Sequence, residues 1–228
     1  MPTGEIKKRG GRRPGAGRKK SGRRRDTPHR KRPSLSPRHP VHVVLRSLLR
    51  VSMRRREMYD LLRRVLQHFL GRSDFRIVHM SIQHTHLHML VEAADARALS
   101  RGMQSFAIRV VQAIHNTTGG CGKFFRYRYH ATQITTKRYA RHALSYVLNN
   151  WRRHREDFGY TVRPGAALDP YSSAISFTGW TRRFAKPAKY DPLPVSPPQT
   201  GLLSSGWTEY GLIDPFECPG PFWETGRT

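Results

Sequence analysis

The chain is poor in acid. Only 15 Asp+Glu stand against 42 Lys+Arg, which leaves a formal net charge of +27. So lopsided a balance points to a polyanion, with nucleic acid the first candidate and an anionic membrane surface the second. Long apolar runs are also lacking. None approaches the roughly 20 residues of a membrane span. The N-terminus has charge without the apolar segment of a secretory signal. There are two cysteines, Cys121 and Cys218, too few and too far apart for a disulfide framework or a zinc knuckle. A reduced, intracellular setting is the default. No internal repeat is present. With 228 residues and 37 % hydrophobic content, there is room for one domain of ordinary size plus tails.

Composition divides the chain in three. Residues 1–39 hold 15 of the basic residues against Glu5 and Asp26 alone. With almost nothing to bury, they read as a disordered basic arm. Within it, the Gly/Pro-rich stretch carrying Arg12, Arg13, Arg18 and Lys19 fits a hook for a narrow minor groove, and equally a nonspecific phosphate-binding tail. Residues 40–155 carry the periodic patterns of a folded domain. Residues 156–228 hold ten of the 16 prolines and read as an irregular extension. Its apolar residues, among them Trp180, Leu203, Trp207, Ile213, Phe216 and Trp223, are too many to float in water, so they should wrap the body or a partner.

The folded part reads as alternating elements. Residues 40–47 form a β-branched strand. Residues 53–70 form a helix with Met58, Leu61, Leu62, Val65, Leu66, Phe69 and Leu70 on one face and Arg54, Arg55, Arg56, Arg63 and Arg64 on the other, capped by Gly71. Residues 75–82 and 84–93 form two strands joined by a short turn, hence antiparallel. Asp95 caps a helix over about 96–116, with a core stripe of Leu99, Met103, Phe106, Val110 and Ile114. Residues 123–134 form a fourth strand, and Thr135 or Thr136 caps a last helix to about His154. The order is that of the ferredoxin-like split β-α-β-β-α-β arrangement, an α+β fold with an antiparallel sheet and one further helix.

Two stretches carry chemistry. In Gln83-His84-Thr85-His86-Leu87-His88-Met89, alternation on a strand puts His84, His86 and His88 on one face. Two imidazoles so spaced can grip one divalent metal, or simply line a wet face. In the last helix, Ala140, Leu144, Val147, Leu148 and Trp151 mark the core side. Tyr146 and Asn150, four apart, lie on the far side, with His142 and Tyr139 near them. His142 reads either as a base for Tyr146 or as a solvated surface histidine. In the strand at 123–134, Arg126 and Arg128 alternate with Tyr127 and Tyr129, offering charge on one face and stacking surface on the other. The other reading makes Phe125, Tyr127 and Tyr129 core.

Taken together, His86-Leu87-His88-Met89-Leu90-Val91 and Tyr146-Val147-Leu148-Asn149-Asn150 resemble the HUH endonucleases. The closer likeness is to their single-tyrosine branch, the small insertion-sequence and REP-associated tyrosine transposases, over roughly residues 39–155. Many members have Asn-Pro after the tyrosine, where this chain has Asn150-Trp151. His84/His86 is a rival pair, but Thr85 fits the hydrophobic middle position worse than Leu87. The resemblance implies a transposase that cleaves and rejoins single-stranded or hairpin DNA through a 5′-phosphotyrosine on Tyr146. His86, His88 and Asn150 would be ligands of Mg2+ or Mn2+. Ligand preference alone would favour a transition metal. The implied setting is the bacterial cytoplasm, at the nucleoid. A homodimer is compatible with the resemblance but is not specified by the sequence. One rival is a basic nucleic-acid-binding protein without cleavage. Another is a phosphoesterase with two His-x-Thr motifs, of which only His130-Ala131-Thr132 is present. DNA binding should depend steeply on salt.

Overall fold

The computed structural model describes residues 34–48, 52–155, 167–185 and 189–220. The arm residues Arg12, Arg13, Arg18 and Lys19 lie outside them. Strand alternation decides the first element, β1 (Val41–Arg46): Val41, Val43 and Leu45 are buried on one face, and His42 and Val44 look the other way. β2 (Phe75–Ile82) and β3 (His86–Ala93) follow, and β4 (His130–Gln133) is the last strand. The sheet order is β2-β3-β1-β4 and every neighbouring pair is antiparallel. The architecture is the expected α+β, ferredoxin-like one. β3 lies between two partners and is buried along its whole length, so it is the stiffest platform the sheet offers.

Each face of the sheet has its own cover. Leu87, Met89 and Val91 of β3 join Val43, Ile77 and Met80 in a core under α1 (Arg56–Gln67) and α2 (Ala96–Thr118). Burial of each such side chain contributes about 1.5–3 kcal/mol. Asp95 caps α2 by accepting from Ala98 N at 2.6 Å. On the opposite face, Leu90 and Val78 pack in a second core with α3 (Lys137–Arg153) and with the C-terminal segment. None of the helices among the described residues is long and apolar enough to cross a membrane.

Several sequence expectations are corrected. β3 begins at His86, not His84. Gln83 N donates to His86 O at 2.9 Å and closes a turn, and His84 stands exposed there with Nδ1 3.3 Å from Ser52 Oγ. The histidine triplet is therefore a pair on the strand. The fourth strand is regular only over His130–Gln133. Phe125 makes an isolated bridge to Ser47, and the chain then bends through Arg126, Tyr127 and Arg128, all three exposed. The alternating charge-and-stacking face therefore does not form: Phe125 is core, Tyr129 is half-buried and Tyr127 lies in water. α1 ends at Gln67, because His68, Phe69 and Leu70 take tighter i→i−3 bonds. Gly71, with φ 77°, comes after the cap, and Leu70 is exposed.

Arg54, expected on the solvated face of the first helix, is fully buried. Its guanidinium pairs with Asp169 through two bonds of 3.0 and 2.9 Å and donates to Ile82 O at 2.8 Å. The extension thus docks on the body. Glu92, also buried, accepts from Gln199 N, Thr200 N and Thr200 Oγ1 and pairs with Arg76. Ile82 N donates to Tyr171 O, and Ser196 N to Ile77 O, so the segment runs beside β2. Trp180, Leu203, Trp207 and Ile213 are buried in the α3 core, whereas Leu212 and Phe216 are exposed. Trp223 lies outside the described residues.

Candidate active site

Thr136 starts α3 by accepting from Tyr139 N at 3.1 Å. Lys137 and Arg138 are exposed, and from Tyr139 to Trp151 every residue is buried or half-buried. Ala140, Leu144, Val147, Leu148 and Trp151 form the apolar core already noted. Arg141, Ser145, Asn149 and Arg152 are held by residues 211–217: Asn149 Nδ2 donates to Asp214 O at 2.9 Å, Arg152 Nε to Pro215 O at 2.8 Å, and Ser145 and Arg141 engage Glu217. The third side carries Tyr146 and Asn150. The sequence placed it away from the core. In the structure it is buried too, with Tyr146 6 % and Asn150 0 % exposed, because it faces the histidine side of the sheet.

There the two stretches meet. The Tyr146 ring stands edge-on to His88, with ring centres 5.3 Å apart, and to His42 at 5.6 Å. His86 and His88 are 4.6 Å apart, ring centre to ring centre. His42 Nε2 lies 2.9 Å from His88 Nδ1, and the two rings stack. The other nitrogen of His88, Nε2, is buried with no hydrogen-bond partner among the described residues, and so are both amide atoms of Asn150. Buried polar atoms are rarely left so. At the end of α3, His154 lies 5.5 Å from His86, and ligand atoms of His86, His88 and His154 all fall within 4.8 Å of one another. His142 is half-buried, 6.3 Å from Tyr146 by ring centres.

Electrostatics keep these imidazoles neutral. Burial, with the charges of His154 and Arg46 added, holds His86 down at about 4. Burial, then the neighbouring histidines, drives His88 well below its ordinary value. His42 is lowered to about 3, chiefly by burial and then by His130, His142 and His86. His154 is lowered by burial and by Arg153 and Arg46. Neutral imidazole is the form that binds metal. Burial raises the Tyr146 phenol above its ordinary 10, while Arg153 and Arg46 pull it back. The phenol is therefore held protonated until something draws the proton away. The donor set fits a divalent ion: a buried, unpaired imidazole nitrogen, a second and third imidazole, and an amide without a partner.

The sequence reading missed His42 and His154. The first shows only alternation with Val44 and Arg46; its pairing with His88 depends on strand register. The second left a signal, since Tyr146, Asn150 and His154 recur every four residues. Arg126 and Arg128 stand on the exposed bend before β4.

Residues 36–150, half of the chain, match a protein family described as IS200-like transposases. The solved structure of a REP-associated tyrosine transposase bound to a REP hairpin is similar in fold. It is 14 % identical, with a TM-score of 0.51, over 70 % of this chain and 96 % of that one. No curated protein matches the chain.

Proposed function

The chain belongs to the family of IS200-like transposases, and from that membership we propose that it cleaves and rejoins single-stranded DNA through a covalent bond to Tyr146. The phenolic oxygen attacks phosphorus, an Oη–P bond forms and the P–O3′ bond breaks. The 3′ oxygen leaves and takes up a proton, and the phenol gives its own proton to solvent or to a nearby imidazole such as His142. The 5′-phosphate stays on Tyr146. Because that linkage conserves the bond energy, attack by a 3′-hydroxyl reverses it without a nucleotide cofactor.

A divalent ion, magnesium or manganese by the resemblance, would be held by His86 and His88 with the Asn150 amide oxygen, and bound there it would supply neutralising charge at a non-bridging phosphate oxygen. His42 orients His88 through its ring nitrogen. Arg46 and Arg153 add positive charge toward the phenol. The packing around Tyr146 limits water at the reacting oxygen. Arg12, Arg13, Arg18 and Lys19 of the arm and Arg126 and Arg128 of the bend serve the DNA backbone. The relative solved with a REP hairpin makes hairpin DNA the first substrate to try. One chain supplies both the histidines and the tyrosine, so the reading needs no second copy.

The observation that carries this is the Tyr146 ring packed on His88, whose outer nitrogen has no hydrogen-bond partner among the described residues. The test is to incubate the protein with 5′- and 3′-labelled hairpin oligonucleotides and Mn2+. A denaturant-stable adduct should form on the 5′-phosphate side, mapped to Tyr146 by mass spectrometry, and Tyr146→Phe should form none. Equal nicking by Tyr146→Phe would overturn the assignment of Tyr146 as nucleophile, and neither nicking nor an adduct in the parent would leave a basic nucleic-acid-binding protein.

A further inference from the structure

Two imidazoles and one amide leave a metal's coordination incomplete. The elements that meet at the site supply one more donor. Tyr146, Asn150 and His154 lie along one side of α3, a turn apart each. The stripe crosses the histidine face of β3 so that Tyr146 meets His88 and His154 meets His86. Asn150 sits between them, buried, with both amide atoms unpaired. At a nitrogen–metal distance of about 2.1 Å, two donors on one ion stand no more than about 4.2 Å apart. The 4.8 Å spread of the three imidazoles therefore closes with a small side-chain rotation, which the exposed His154 is free to make.

The backbone fixes where that residue stands. His154 is the C-cap of α3, and its N–H donates to Asn150 O at 3.2 Å. The next residue, Arg155, has φ 55°. A non-glycine residue there costs on the order of 1 kcal/mol or more, and it ends the helix directly after His154.

We propose that His154 is the third imidazole ligand of the centre, and that the centre takes Mn2+ or another nitrogen-tolerant transition ion in preference to Mg2+. The proposal rests on the metal-assisted cleavage reading. Mg2+ keeps oxygen ligands and its own waters in a near-ideal octahedron. Imidazole suits the transition series, and three imidazoles with one amide oxygen leave little for Mg2+ to hold.

The test uses the full-length protein without DNA. Calorimetric titration with Mn2+ and with Mg2+, and visible absorption with Co2+ as a spectroscopic probe, are run on the parent, His154→Ala, His154→Gln and, as a remote control, His68→Ala. The exposed cap position lets both His154 variants fold, which circular dichroism verifies. Mn2+ affinity should fall in each at least as far as loss of an outer-shell partner costs, about 10- to 100-fold, and the Co2+ bands should change. His68→Ala should match the parent, and the parent should bind Mn2+ well above Mg2+. Unchanged affinity and bands in His154→Ala would overturn the ligand assignment while an adduct on Tyr146 kept the cleavage reading standing. Equal Mg2+ and Mn2+ affinity in the parent would overturn the ion preference. A parent that binds neither ion and forms no adduct would overturn both readings.

Discussion

His88 uses its two ring nitrogens differently, and His42 decides which does what. Both rings are buried and neutral, so across the 2.9 Å contact one nitrogen donates and the other accepts. If His42 Nε2 accepts, the His88 proton sits on Nδ1 and the lone pair of Nε2 points to the site, the arrangement that second-shell partners impose on metal-binding histidines. Replacing His42 by Ala should weaken Mn2+ binding about 10- to 100-fold. His42→Gln, whose amide can reach the same nitrogen, should restore most of it; equal losses in the two variants would deny the hydrogen bond any part. His79 makes a separate prediction. It is buried against Ser173 Oγ and Phe177, and burial lowers it to about 4. An unfolded chain takes that proton near pH 6.5, whereas the folded one refuses it until about 4. Stability is therefore full above pH 6.5 and falls as pH drops through this window, by roughly 3 kcal/mol. Urea melts from pH 7.5 to 4.5 should show the fall, and His79→Asn should make it shallower by about that share, the part set by the buried His42, His86 and His88 remaining. At this scale the His86/His88 pair and Tyr146 were legible, because spacing alone marks them. His42 was not, because which residue a strand side chain meets depends on a register no local pattern records.

Helix α2 carries a glycine in mid-run that periodicity passes over. A Cβ on Gly102 would stand 2.2 Å from the Phe75 ring, so the helix lies directly on the start of β2. Glycine to alanine within a helix ordinarily stabilises by up to about 1 kcal/mol. Here the sign should reverse, to a loss of about 1–3 kcal/mol, read as a lowered denaturation midpoint for Gly102→Ala. The cap at Asp95, a threonine cap at 135 or 136, the bounds of β2 and the α3 core stripe were all visible in the sequence, since caps and periodicity are local. The early end of regular pairing before β4 was not. Its alternation of aromatics and arginines has a strand's period, and no local pattern shows that the chain bends away from the sheet edge there. The sequence reading placed Tyr146 and Asn150 away from the core and assigned no face to Arg141, Ser145, Asn149 and Arg152, whose partners in residues 211–217 lie far along the chain. So anchored, the tyrosine helix cannot be lent to a neighbouring copy without stripping that cover away.

Two buried charges that neither composition nor periodicity reveals tie the C-terminal segment to the body. Arg54 is answered by Asp169, and Glu92 by backbone N–H groups at 199 and 200. Cutting the chain after Arg155 leaves Arg54 and Glu92 without those partners. A buried pair broken from one side costs about 3–5 kcal/mol, against a total stability of about 5–15 kcal/mol for a typical domain. The shortened chain should be largely unfolded by circular dichroism, and Asp169→Asn should lower the melting temperature of the full one. A soluble, cooperatively melting fragment ending at Arg155 would show the extension to be an accessory instead. The course of that extension along β2 has a consequence for assembly. Ser81 bridges Ser172, Ile82 bonds Tyr171, and Ser196 bonds Ile77, so one rim of the sheet is already sealed by the molecule's own backbone. Any strand arriving from another molecule would be turned away on that side, and the ladder can lengthen only past the four residues of β4.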